Sequence, residues 1–280
     1  MSEKNINLIA SSNNIIKGCI EIPGDKSITH RAIIISSIAD GKTKINRYLD
    51  SEDTNATIDA CRHIGAEIEK DNETLIIKGN NLERIQGENI EINFGNSGTS
   101  MRLMMGILSA QKFSSTLFGD QSLNQRPMNR ISNPLKMMNG DIKTTNGIPP
   151  VRISPVDKIR NTDHIITIAS AQIKSSIILA GLYGQESFKI TTPHSRDHTE
   201  IMLNQFGCKI STESNAIKVT PSKLTSPNKI NIPGDISSAA FFIVGSIISK
   251  DSQVKIKNVG LNPLRTGSVS YTHLTLPTKA

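Results

Sequence analysis

Three stretches of this 280-residue chain set cations, hydroxyls and amides where a helix would begin. KSITHR offers Lys26, Ser27 and Arg31; GTSMR offers Gly98, Thr99 and Arg102; SAQIK offers Ser170, Gln172 and Lys174. The free N–H groups and macrodipole of a helix start favour phosphate or carboxylate. Ser27 and Arg31 are four apart, so on a helix they share a face with Lys26 at its mouth. A point charge, a hydroxyl and a bidentate fork then meet one anion, as a phosphorylated substrate requires. The plain counterpart is a solvated helix start with a surface arginine, and recurrence in three places weighs against it. Arg126, in GDQSLNQRP, precedes Pro127, which suits the first position of a helix. It reads either as a second carboxylate or phosphate clamp or as a surface loop arginine.

The six histidines form no ligand pattern: His30 and His63 read as helix-surface or packing residues, and His194 and His198 bracket the turn PHSRDHTE without a completing Cys or carboxylate. No nucleophile elbow, Walker or dinucleotide motif is present.

The elements that must position these residues repeat. Lys26, Gly98 and Ser170 lie 72 residues apart, and each opens a helix of small and branched residues. Strand-like segments follow at 42–48, 114–119 and 186–191, then second helices near 54–64, 127–138 and 197–206 that pass through Gly or Asn-Gly into further extended chain. Three such units can close around a pseudo-threefold axis. A fourth begins at Ile232, where IPGDISSAAFFIVGSI mirrors IPGDKSITHRAIIISSI at Ile22 with an offset of 210. After LNPLRTG the residues SVSYTHLTLPTKA drop the pattern and read as foreign sequence after a truncation.

Composition bounds the function. Hydrophobic residues make up 36% and charged ones 20%, enough to bury a core, while 4% aromatics and no Trp leave no stacking platform for single-stranded nucleic acid. Lys and Arg exceed Asp and Glu by 32 to 25, scattered along the chain, which favours small anionic ligands. Cys19, Cys61 and Cys208 stand far apart, in neither a disulfide framework nor a zinc spacing. The first fourteen residues lack a signal-peptide core, and the apolar runs at 33–38 and 239–248 are too short to span a bilayer. A cytoplasmic monomer without membrane or nucleic-acid partners is expected.

Taken in order, IPGDKSITHR, FGNSGTSMR, GDQSLNQRP, SAQIKS, PHSRDHTE and IPGDISSAAFF resemble the 5-enolpyruvylshikimate-3-phosphate synthases, or 3-phosphoshikimate 1-carboxyvinyltransferases, over most of residues 22–267. The resemblance implies an α/β fold of βαβαββ units in an inside-out barrel of two domains. Here the first would be complete, at 22–228, and the second incomplete, from 1–21 and 229–267, with a tail at 268–280. It implies transfer of the carboxyvinyl group of phosphoenolpyruvate to the 5-hydroxyl of shikimate 3-phosphate, with loss of phosphate and no metal or organic cofactor. By this resemblance Lys26, Ser27, Arg31, Ser170, Ala171, Gln172, Ser195 and Arg196 would hold shikimate 3-phosphate. Lys26, Asn96, Gly98 and Arg126 would hold phosphoenolpyruvate, with Lys26 the catalytic candidate. The family's proton-transferring Asp and Glu fall beyond the point where the likeness stops, so these 280 residues alone are expected to be inactive or nearly so. The related UDP-N-acetylglucosamine enolpyruvyl transferases would carry Cys five residues before the loop arginine, where Gln121 stands. A non-catalytic anion-binding repeat module is the alternative from another class.

Overall fold

The computed structural model describes residues 15–265, so the tail at 268–280 lies outside the described residues. After β1 (Lys17–Glu21), the first unit runs α1 (Lys26–Ile38), β2 (Lys42–Asn46), α2 (Glu52–His63), β3 (Glu67–Asp71) and β4 (Thr74–Lys78). The second is β5 (Ile90–Asn93), α3 (Gly98–Leu108), β6 (Ser115–Phe118), α4 (Asn129–Met137), β7 (Asp141–Thr145) and β8 (Ile148–Ser154). The third is β9 (His164–Ile165), α5 (Ala171–Gly181), β10 (Phe188–Thr191), α6 (His198–Gln205), β11 (Lys209–Glu213) and β12 (Ala216–Thr220). A fourth start follows: β13 (Lys229–Asn231), α7 (Ile236–Ile248) and β14 (Gln253–Lys257).

Short polar residues start the repeated helices. The side chains of Asp25, Ser97, Ser170 and Asp235 accept from backbone N–H groups of Ile28, Ser100, Ile173 and Ser237, satisfying donors the first turns of α1, α3, α5 and α7 would otherwise leave open. Three four-stranded sheets share one topology: β13-β2-β4-β3, β5-β6-β8-β7 and β9-β10-β12-β11, each with a parallel first pair and two antiparallel pairs. Inner strands alternate buried with less buried residues, as in Thr43 and Ile45 of β2 or Phe188 and Ile190 of β10, so each sheet turns one face to the core. The core joins all three units around α1, α3 and α5, whose later turns are buried on nearly every side. Helices inside and sheets outside give the repeated α/β architecture.

Two sequence expectations shift. Lys229–Asn231, assigned above to the second domain, form β13 and pair with β2 of the first sheet, while β1, which leads into α1, pairs with β14. Each of these strands thus pairs with a strand that does not follow the helix it leads into. At the crossing, Asp25 N–H donates to Pro233 O at 2.8 Å and Asp235 N–H to Pro23 O at 3.0 Å, so the two IPGD segments pair with each other. Arg265 forms ion pairs with both cap carboxylates, Asp25 and Asp235. Pro127 does not open a helix: α4 begins two residues later, and Arg126 ends a 3-10 turn at Leu123–Gln125.

Candidate functional site

The three repeated helices point the same way. Contacts between them join like-numbered turns: Thr99 with Gln172, His30 with Ser100, and Arg31 with Ser175. Their first turns therefore lie on one side of the body, as the anion-site reading requires.

Arg31 sits deepest, at 4% exposure. Its Nε donates to Thr199 Oγ1 at 2.7 Å, Nη1 to Ser27 O at 2.9 Å and Nη2 to Ser175 Oγ at 3.2 Å. All three partners are neutral, and no carboxylate lies within ion-pair distance of it among the described residues. Burial, aided by the nearby Arg196, lowers its pKa to about 10, while Glu200 and Asp25 pull the other way. Arg196 Nη1 approaches Ser27 Oγ at 3.4 Å, so Ser27, Arg31 and Arg196 converge although α1 and the 193–197 turn lie about 165 residues apart. The Ser195 hydroxyl is buried without a hydrogen-bond partner among the described residues.

Lys26, half exposed at the mouth of α1, pairs with Asp53 Oδ2 at 2.9 Å, while Ser100 Oγ donates to Asp53 O. This ties the α1 mouth to α2 and α3. Ser170 caps α5 and Ala171 is its first residue. Gln172 bridges to α3: its Oε1 accepts from Arg102 Nη1 at 2.9 Å and its Nε2 donates to Thr99 Oγ1 at 3.0 Å. Arg102, Arg130, Ser170 and Gln172 line a cavity of about 110 Å³. Burial, then Arg126 and Arg130, lower the Arg102 pKa.

The Arg126 Nη2 donates to Asn96 Oδ1 at 2.5 Å and to Ser122 Oγ at 3.2 Å. A side chain on Gly98 would meet Arg126 Nη1 at 3.1 Å and Arg102 Nη1 at 3.3 Å, so glycine there lets backbone and both guanidinium groups share one space. The structure thus brings Asn96, Gly98 and Arg126 into one group, Ser170, Ala171 and Gln172 into a second, and Ser27, Arg31, Ser195 and Arg196 into a third, with Lys26 beside the third. Sequence reasoning missed Asp53, Thr199 and Ser175: Thr199 and Ser175 meet Arg31 from the third unit, Asp53 meets Lys26 from the next helix of its own unit, and no spacing announces any of them. Lys174, taken above as an anion-facing cation, is instead buried against Glu200. His30 is a packing residue: Thr57 Oγ1 lies 2.7 Å from its Nδ1, and burial lowers its pKa to about 3.

Like-oriented helix mouths beside guanidinium groups without carboxylates, together with three sheets of one order, describe an α/β protein built by internal repetition. Residues 11–275 match the family profile of EPSP synthase (3-phosphoshikimate 1-carboxyvinyltransferase), and the chain belongs to that family. It is 45% identical over 266 residues to the 3-phosphoshikimate 1-carboxyvinyltransferase of Legionella pneumophila (strain Lens), covering 94% of this chain and 61% of the relative. Against the protein of the same name from Methylococcus capsulatus the figures are 42% over 272 residues, 96% and 62%. The solved EPSP synthase of Acinetobacter baumannii superposes with a TM-score of 0.84 at 42% identity, over 92% of this chain and 59% of that one. The chain spans about three fifths of the length of these relatives.

Proposed function

We propose that the chain carries the shikimate 3-phosphate-binding body, and part of the phosphoenolpyruvate site, of a 3-phosphoshikimate 1-carboxyvinyltransferase. The whole reaction joins the 5-hydroxyl of shikimate 3-phosphate to the enolpyruvyl carbon of phosphoenolpyruvate and expels phosphate. The observation that carries this reading is Arg31, a buried guanidinium with only neutral partners, beside Ser27 and Arg196 at a helix mouth. A charge buried this way calls for an anion, and a phosphate monoester supplies one with oxygens enough for several donors.

Lys26, Ser27, Arg31, Ser170, Ala171, Gln172, Ser195 and Arg196 then hold shikimate 3-phosphate, and Asn96, Gly98 and Arg126 hold phosphoenolpyruvate. Lys26, now on Asp53, reaches between them as a mobile point charge. Two polyanions held side by side repel, and clustered cations with helix N-termini offset that repulsion and fix the approach of hydroxyl to enol. In this reading the first body closes with β13, and β1, α7 and β14 belong to the second.

Calorimetric titration of the 280-residue chain with shikimate 3-phosphate and with inorganic phosphate tests the proposal. The expected result is a preference for shikimate 3-phosphate of at least about tenfold, since sugar-ring contacts add to the shared phosphate contacts. Equal affinities would instead mark a generic anion-binding module.

A further inference from the structure

The most buried ion pair among the described residues joins α5 to α6. Lys174 Nζ lies 2.5 Å from Glu200 Oε1, with side chains 3% and 5% exposed. Burial raises the Glu200 pKa, and Lys174 opposes that rise. A buried ion pair is a poor stabiliser, because desolvating both ions offsets their attraction, and replacing such a pair by apolar residues often leaves stability unchanged or higher. Stability alone therefore gives no reason for this one.

Its other contact does. Lys174 Nζ donates to Ser195 O at 3.2 Å. Ser195 and Arg196 lie on an irregular segment between β10 and α6, where Pro193, His194 and Arg196 are exposed. That segment borders a cavity of about 290 Å³ whose lining mixes Lys174, Glu200 and Asn204 with Ile210, Ile217 and Leu264, so open space lies against it. On its other side the Arg196 to Ser27 contact of 3.4 Å is the only side-chain hydrogen bond to α1 among the described residues. Glu200 is fixed in turn by its neighbour Thr199, which is hydrogen-bonded to both Arg31 and Ser175. Each link reaches the next through a direct contact: α6 to Glu200, Glu200 to Lys174, Lys174 to the Ser195 carbonyl.

We infer that Lys174 and Glu200 are positioning residues: without touching ligand, the pair holds the Ser195–Arg196 turn against the mouth of α1. Glu200 also cancels the charge of Lys174, so the cations of this cluster without an ion pair among the described residues remain Arg31 and Arg196, facing the ligand. The identity of that ligand rests on the function proposed above, whereas the tethering of the turn does not.

The double variant Lys174→Met with Glu200→Leu removes the pair but keeps bulk. Its melting temperature is expected to stay within a few degrees of the parent. Amide exchange at residues 194–198 is expected to rise at least about tenfold, with α3 and α5 unchanged. Affinity for shikimate 3-phosphate should fall about tenfold or more, since small misplacements of binding groups are costly. Lys174→Arg, which keeps both the charge and a donor, should restore both readouts. A turn that exchanges at the parental rate in the double variant, or an affinity that recovers with the apolar pair, overturns the inference. If the double variant does not fold, Glu200→Gln decides, because it must loosen the same turn in the same direction. Should the parent show no preference for shikimate 3-phosphate, the functional reading fails while the exchange measurement still decides the pair.

Discussion

Burying a guanidinium opposite neutral acceptors costs folding free energy, because water solvated it better and no carboxylate offsets the loss. Arg31 is placed so, and its pKa of about 10, below the ordinary 12.5, reports the strain: the cation is disfavoured on folding, and the penalty persists at every pH below that value. Arg31→Met is therefore expected to leave the ligand-free melting temperature unchanged or raised. Affinity for shikimate 3-phosphate should fall about 10- to 100-fold, the equivalent of about 1.5–3 kcal/mol for charge-assisted contacts. Thermal melting with and without ligand checks both halves, and a variant that melts early yet binds normally contradicts the assignment. His30 makes the opposite case. Its pKa is lowered from 6.5 to about 3 because burial opposes the imidazolium, so between those values the unfolded chain binds more protons than the folded one. Stability is then full above pH 6.5 and falls as pH drops towards 3, by up to about 1.4 kcal/mol per pH unit for this residue. His30→Gln should flatten that acid limb in urea titrations between pH 6.5 and 5, and an unchanged slope would assign the loss to other groups. Residues within one turn were legible from spacing, as Lys26, Ser27 and Arg31 show. Thr199 and Ser175, 168 and 144 residues from Arg31, were not, because tertiary closure brings them in.

At the scale of elements, the 72-residue spacing of Lys26, Gly98 and Ser170 made the repeat readable, and the structure adds what those starts share: Asp25, Ser97 and Ser170 each satisfy a first-turn donor, and each is followed by a helix that the core buries. What the sequence hides is strand exchange. Lys-Ile-Asn at 229–231 is too short to carry a period, and its partner β2 lies about 185 residues away, so only the missing first strand of the first sheet calls for it. The parallel packing of α3 on α5 was equally silent until Gly106 met Ser176. A Cβ on Gly106 would lie 2.3 Å from the Ser176 carbonyl oxygen, which is backbone and cannot rotate away. In an isolated helix Gly→Ala gains up to about 1 kcal/mol. Here the helices must separate, and overpacking of this kind costs about 1–3 kcal/mol. Gly106→Ala is accordingly expected to lower stability in urea unfolding, with a matching loss of ligand affinity, since Thr99, Arg102 and Gln172 meet across the same two helices. A stabilised variant would show that the two helices part at little cost.

Across the whole molecule the same helix occurs in two settings. α1 and α7 both run thirteen residues from an Asp cap that ends an IPGD segment, yet α1 buries ten residues, five of them in the large core, and α7 buries only Ile236 and Ala239. The second core consists of Ile22, Ile236 and Ala239 with four partly buried neighbours, and Phe241 and Ile248 stand 81% and 78% exposed. Backbone hydrogen bonding and capping are shared, so any difference in protection between the two helices measures packing alone. Local opening free energy follows the apolar area buried around an element. Hydrogen exchange should therefore find α7 at least about 100-fold less protected than α1, a gap of about 2.7 kcal/mol, with β1 and β14 following α7. The crossing sharpens this expectation. β13, though it leads into α7, hydrogen-bonds β2 and should keep the protection of the large body, so the step in exchange is expected between Asn231 and Ile236. A gradual decline through 229–240 would mean that the paired IPGD segments and Arg265 couple the two bodies into one cooperative unit. Equal protection of α1 and α7 would mean that something covers the apolar face of α7 in solution, and repeating the measurement at tenfold dilution would tell whether that cover is a second copy of the chain.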